Sequence, residues 1–298
     1  MAVGLLSNGP VGLPVTLALV FILAAMAFKI SAAPFHMWTP DVYQGAMTPI
    51  TAFFSAAPKV AGALVMVQFL HVAVPGASVV WVQIIWAAAA LSLLVGSLGA
   101  LMQQNLKRLL AYSTINHVGF LLIAILCGGE DGFTALFIYL TVYVTMSLGV
   151  FAAILFLQQQ GAAAETLTDF QGLSCRHPRS ALAIAILMFA MAGVPPTAGF
   201  LGKMVVLLAA MQAGYVWLAA LGVITSVIAA FYYLRVIKIM YFDEPVESII
   251  VPRVAFSRRI ALVLTVTTAI TACLMLSPSL LVDPASTAAQ SLGFTGGR

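Results

Sequence analysis

Eight stretches of almost uninterrupted apolar sequence decide what this chain can become. They lie near residues 11–35, 47–72, 79–102, 109–128, 133–158, 180–212, 215–242 and 259–281. Each is long enough to cross a bilayer, which takes about 20 residues of helix. Runs of this length in hydrocarbon satisfy their backbone polar groups only as helices, so the fold class is all-α and polytopic. Composition agrees: 62% of the 298 residues are hydrophobic, 7% are charged, and the mean hydropathy is +1.09. A water-soluble domain carries about 25% charged residues. The formal net charge of +4 is therefore no sign of nucleic-acid binding, and the partner that the composition implies is the lipid bilayer. The longest polar connections, 159–179 and 243–258, are too short to fold alone. The first and sixth segments are too long for one straight span and contain Pro/Gly breaks, as discontinuous helices do. The first lacks the basic stretch that opens a signal peptide and is followed by further spans.

Basic residues orient the spans. The connection 103–108 holds Lys107 and Arg108, and 159–179 holds Arg176 and Arg179. Arg235, Lys238, Arg253, Arg258 and Arg259 surround the last connection on that side. The alternate connections, 73–78, 128–132 and 213–214, hold no basic residue, while Glu130 and Asp131 lie in one of them. The basic set alternates correctly across eight spans and marks the cytoplasmic face. Both termini are then expected on the outer side, and the loop with His36 and Asp41 on the inner side.

Three lysines stand inside apolar sequence: Lys29, Lys59 and Lys203. A charge at mid-bilayer costs at least about 2.5–3.5 kcal/mol, so such residues face a polar interior and work there. Each lies near proline: Pro34 follows Lys29 by five residues, Pro58 precedes Lys59, and Pro195 and Pro196 precede Lys203. Proline in a membrane helix frees backbone carbonyls, which need protein, water or another polar group beside them. None of the nine acids falls in the middle of a span. The lysines therefore either hold and release protons or take a counter-ion from another polypeptide. The bland readings are a Lys29 that snorkels to the inner interface and a Lys203 that sits in a polar pocket at a helix end. Lys59, about 12 residues into its segment, is too deep to snorkel.

Other chemistries find no support. Cys127, Cys175 and Cys273 are far apart and form no CxxC or Cys/His cluster, which argues against a disulfide framework, a zinc site or an iron–sulfur centre. The sequence has no Walker or GxGxxG motif, so no nucleotide or other cofactor is expected on this chain.

The stretch from Phe28 to Gly45, FKISAAPFHMWTPDVYQG, resembles a signature of the antiporter-like membrane subunits of respiratory complex I, the proton-pumping NADH:quinone oxidoreductase. TPITAFFSAAPKVA at 48–61 is similar to subunit N rather than subunits L or M. Further matches are NLKRLLAYSTINH at 105–117, AGVPPTAGFLGK at 192–203 and FYYLRV at 231–236. The resemblance covers about residues 11–245. It implies a fold of two inverted five-helix repeats, each with one broken helix, and midplane lysines that carry protons. Residues 1–75 would then hold the last two helices of the first repeat, 76–245 the second repeat, and 246–298 a final span and tail. Lys29, Lys59 and Lys203 match the family's midplane lysines.

The resemblance also implies proton translocation coupled to quinone reduction in partner subunits, which would hold NADH, FMN, the iron–sulfur clusters and quinone. The partners would be the other antiporter-like and small membrane-arm subunits, most naturally in a bacterial inner membrane. His117 matches a relay position, although a hydrogen-bonded interior histidine fits it equally. His36 either gates proton uptake or binds loop backbone, and the structural role is preferred for Asp41. Tyr139 and Tyr143 read as packing or hydrogen-bonding groups, and Lys107 and Arg108 as topology determinants. Two departures stand out. The family's first six spans, with the glutamate that pairs with the lysine at Lys29, have no counterpart here, which suggests a fragment or a shortened subunit. Met47 replaces a common proline. A sodium/proton antiporter subunit and a non-pumping scaffold are the alternative readings.

Overall fold

The computed structural model describes residues 12–159, 164–245 and 257–291, and these contain helices and no β-strand. Twelve α-helices follow in order: α1 Leu13–Ile30, α2 Trp38–Gly45, α3 Thr48–Val67, α4 Ser78–Leu101, α5 Leu106–Cys127, α6 Gly129–Gln159, α7 Leu173–Arg176, α8 Pro178–Ala192, α9 Ala198–Gln212, α10 Val216–Phe242, α11 Arg258–Cys273 and α12 Ser279–Ser291. Seven helical stretches are long and apolar enough to cross a membrane, α3 being extended by a π-helical turn to Ala73. The sixth apolar segment is split into α8 and α9, fifteen residues each. This is an integral membrane fold.

Local chemistry sets the breaks. α1 stops where Ser31 takes a left-handed conformation (φ 70) and its N–H closes on the last turn. Pro34 follows, and α2 begins only at Trp38. α8 stops at Gly193, whose φ of 83 needs a residue without a Cβ. Val194, Pro195 and Pro196 then carry the chain to α9. At the start of α5, the Asn105 side chain accepts the Arg108 N–H at 3.1 Å, a standard N-terminal cap.

α5 is the axis of the bundle. It is buried along nearly its whole length and packs against α2, α3, α4, α6, α9 and α10. A helix apolar on all sides belongs in the interior, so the polar residues it carries there, Ser113, Thr114, Asn116 and His117, must find partners inside the protein. α4 meets α5 closely at Leu93, Gly96 and Gly99, which lie against Gly119, Asn116 and Tyr112. A Cβ added at Gly96 would run into the backbone of Asn116, so the two helices approach as closely as glycine permits.

The ends of the helices sort by charge. Lys107 and Arg108 open α5 beside Ala46 and Asp41, Arg235 of α10 reaches the Leu101 carbonyl, and Gln159 of α6 accepts the Ser257 N–H before α11. The basic connections thus meet at one end of the bundle. Arg253, counted with them from the sequence, lies outside the described residues.

Three helices were not expected from the apolar runs: α2, α12 and the single-turn α7 in the connection 159–179. α2 is short and contains Pro40, and it is bound to α5 by the Arg108–Asp41 ion pair at 2.6 Å. Part of the expected C-terminal tail forms α12, which lays Leu281, Ala285 and Ala289 against the protein and packs on α6. Gln290 donates to Glu130 at 2.7 Å near its end.

The close approach of α4 and α5 yields a test. Gly96→Val should lower stability by about 1–3 kcal/mol or more, because the obstructing atoms are main chain. Gly45→Ala, with open space around its Cβ, should stay within about 0.5 kcal/mol of wild type. Thermal unfolding in detergent measures both, and equal melting temperatures for the two variants would refute the close-packing account.

Candidate functional site

Pro58 lies inside α3 and has no N–H, so the carbonyl of Phe54, four residues earlier, loses its helical partner. The Lys59 ammonium takes that carbonyl at 3.1 Å. It also donates to Ser31 Oγ at 3.0 Å, and its Nζ stands 5.5 Å from the ring centroids of both Trp38 and Tyr43. The residue is 0% exposed. The turn after α1 supplies Ser31, α2 supplies the two rings, and α3 supplies the proline and the lysine. One aliphatic stem and one charge are thus enclosed by backbone oxygen, hydroxyl and aromatic faces.

Lys203 repeats this chemistry at the second break. The Ala192 carbonyl is the last of α8, which stops at Gly193, so it has no N–H of its own helix to accept. Lys203 Nζ donates to it at 2.9 Å, where the helix dipole also favours a cation. The ammonium lies 5.6 Å from the Phe120 ring centroid, and the residue is 5% exposed. Lys203 also borders a cavity of about 530 Å³ between α9 and α10.

Between the two lysines lies a row of buried hydroxyls and one imidazole. Thr48, Thr51, Ser55 and Lys59 occupy one face of α3 and are all buried. Ser147 Oγ donates to Ser55 Oγ at 2.9 Å. The Tyr143 hydroxyl lies 2.9 Å from the Ser55 carbonyl and 3.2 Å from Thr114 Oγ1. His117 Nδ1 stands 2.7 Å from the Tyr139 hydroxyl and Nε2 3.2 Å from the Tyr233 hydroxyl, and Tyr233 in turn bonds Ser113. The Tyr143 ring packs on the His117 ring at 5.1 Å between centroids. The Asn116 side chain and the Tyr232 hydroxyl are buried beside this row, near each other and Tyr233, but no hydrogen bond of good geometry satisfies them among the described residues. Buried polar groups of this kind are where internal water binds.

The sequence-predicted residues do not all converge. His117 lies in the interior network, while Lys59, one turn from Ser55 on α3, and Lys203 flank it without a direct hydrogen bond to it among the described residues, beside Pro58 and Pro195–Pro196 respectively. Lys29 is exposed on α1 and makes no hydrogen bond or ion pair among the described residues. Pro34 turns the chain after α1 and is exposed. His36 is half-buried in that turn, away from the row, and burial holds its imidazole below the ordinary histidine range. Asp41 has a structural partner, though it is Arg108 rather than loop backbone. Lys107 is no free surface charge: it is buried and donates to the Ala46 carbonyl at 3.1 Å, closing the α2–α3 corner. Tyr139 and Tyr143 are hydrogen-bonded, as read from the sequence. Ser31, Ser55, Thr114, Ser147 and Tyr233 were not singled out. The spacings 48, 51, 55, 59 on α3 and 139, 143, 147 on α6 are sequence signals that mark two of them, Ser55 and Ser147, since both follow the helical period.

The profile of the family described as NADH:quinone oxidoreductase/Mrp antiporter, TM, matches residues 3–229. NADH-quinone oxidoreductase subunit N of Rhodospirillum rubrum is 45% identical over 293 residues, covering 98% of this chain and 59% of that protein. Subunit N of Acidithiobacillus ferrooxidans is 52% identical over 228 residues, covering 76% of this chain and 47% of its own length. The chain thus spans about half the length of the curated relatives it matches. Among solved structures, a chain of respiratory complex I from Thermus thermophilus is 32% identical with a TM-score of 0.78, over 93% of this chain and 61% of that one. A chain of the membrane-bound sulfane sulfur reductase, an archaeal respiratory membrane complex, is 29% identical with a TM-score of 0.82, over 93% and 56%. A chain of the Mrp complex from Dietzia sp., 23% identical with a TM-score of 0.78 over 93% of this chain and 59% of that one, shares the fold. With its antiporter-like bundle, two helix breaks and buried lysines, this chain belongs to the NADH:quinone oxidoreductase/Mrp antiporter transmembrane family.

Proposed function

We propose that this chain is an antiporter-like membrane-arm subunit of an NADH:quinone oxidoreductase and that it moves protons between Lys59 and Lys203 through the buried hydroxyl row and His117. The observation that carries this reading is a pair of buried lysines without an acidic partner among the described residues, with two hydrogen-bonded clusters lying between them, Ser55–Ser147–Tyr143–Thr114 and Tyr139–His117–Tyr233–Ser113, whose groups both donate and accept protons. A fixed structural charge needs a counter-charge, whereas a proton carrier needs a route. Hydroxyls and imidazole supply one, and water at Asn116 and Tyr232 would complete it. The polar face of α3 leads from Lys59 to a cavity of about 370 Å³ at the basic end, lined by Gln44, Thr48, Lys107, Gln158 and Glu165. That end is read as the cytoplasmic one by the positive-inside rule, which puts both termini outside.

In this reading Lys59 is the central relay and Lys203 the connection outward or to the next subunit. Lys29, exposed here, is the charge switch and takes its counter-ion from protein beyond the described residues. A neighbouring positive charge expels a proton from a lysine, and removal of that charge reloads it. Quinone reduction and the NADH, FMN and iron–sulfur chemistry belong to partner subunits, and the setting is a bacterial inner membrane. The 45–52% likeness to subunit N favours this over a sodium/proton antiporter complex.

Two substitutions test the route. Lys59→Met keeps the bulk and removes the protonatable group. Proton pumping by the assembled complex should fall about a hundredfold, the low end of what a positioned proton donor contributes. Wild-type NADH:quinone turnover and membrane potential in that complex would rule out the relay. Lys203→Arg keeps the charge but not the ability to release a proton. It should lose pumping as fully as Lys203→Ala once assembly has been verified for both. Normal pumping by Lys203→Arg would leave only a fixed-charge role.

A further inference from the structure

On the outer surface of the bundle, α8 and α11 diverge enough to leave an apolar groove of about 430 Å³, which Phe156 of α6 also lines. Its walls are kept low by small side chains, Ala183 on α8 and Ala261, Ala269 and Ala272 on α11. From Ala261 to Ala272 it runs about 16 Å at 1.5 Å per residue, close to the roughly 15 Å of hydrocarbon in one leaflet. Charge stands at one end. Arg179 lines the groove, and Arg258 and Arg259 begin α11 within a turn of Ala261. All three are exposed, and none is in an ion pair among the described residues. The N-termini of α8 and α11 lie at the same end and add the positive poles of two helix dipoles.

We propose that this groove is a binding site for an anionic glycerophospholipid, with one acyl chain between α8 and α11 and the headgroup phosphate at Arg179, Arg258 and Arg259. Groove length, apolar walls and basic mouth match the three parts of such a lipid in order. A zwitterionic lipid would offer the same chain, but its own cation would offset the attraction of the arginines. The site lies apart from the buried lysines and does not depend on their role.

The test uses the purified full chain in phosphatidylcholine nanodiscs doped with phosphatidylglycerol, with bound lipid counted by native mass spectrometry. One tightly retained phosphatidylglycerol is expected, which inorganic phosphate does not displace. Arg179→Gln should weaken retention about fivefold, the effect of one arginine near an anionic headgroup. The triple Arg179→Gln/Arg258→Gln/Arg259→Gln variant should abolish it. Ala269→Phe should also abolish it by filling the groove. Equal retention of phosphatidylcholine, or retention unchanged in the arginine variants, overturns the proposal even if Ala269→Phe fails to fold. In the assembled complex, an Ala183→Cys variant should be reached by lipid-borne thiol probes. Its cross-linking to another subunit instead would assign the groove to a protein partner.

Discussion

The structure depends on backbone carbonyls left without a helical partner, one by a proline inside α3 and one by the end of α8. In hydrocarbon such a carbonyl cannot be left bare, and at both places in this bundle a lysine ammonium takes it: Lys59 on Phe54 beside Pro58, and Lys203 on Ala192 at the end of α8. Each group removes the other's penalty. The ammonium gains an acceptor where no carboxylate is present, and the broken helix gains a donor where no water is needed. The two orphaned carbonyls and the two buried lysines are therefore one design used twice.

Everything between these points is organised by α5. Because it is enclosed by its neighbours, its polar residues face other helices rather than lipid. Ser113, Thr114 and His117 meet Tyr233 from α10 and Tyr139 and Tyr143 from α6, while Ser55 from α3 continues the row towards Lys59. The tight α4–α5 contact at Gly96 lies directly behind Asn116, so packing on one face of α5 fixes the position of polar groups on another.

Much of this was legible in the sequence. Apolar runs placed the spans to within a few residues, because a membrane helix must be both long and apolar. Buried charge beside proline pointed to Lys59 and Lys203 because hydrocarbon tolerates neither feature alone. α2 and α12 escaped because each is short and amphipathic: α12 buries only the 281, 285, 289 stripe, which a run-length criterion cannot register. The hydroxyl partners escaped for another reason. Serine and threonine bond their own helix carbonyls cheaply, as Thr141 and Thr145 do here, so a hydroxyl in a span carries no meaning until tertiary contacts place it opposite another. Lys29 illustrates the opposite limit. Its motif is clear, but its side chain is exposed and meets no partner among the described residues.

Anchoring to main chain has a further consequence for a lysine that changes charge. A carboxylate partner would itself accept the proton, and the pair would reorganise whenever either member titrated. An amide carbonyl does not titrate in this range, and a neutral amine still has hydrogens to donate to it. Lys59 and Lys203 can thus keep the same acceptor and the same rotamer in both states. On the proposed role, the rearrangement that would accompany charging is left to mobile hydroxyl hydrogens and water, whose reorientation is small and fast beside the swing of a four-carbon chain.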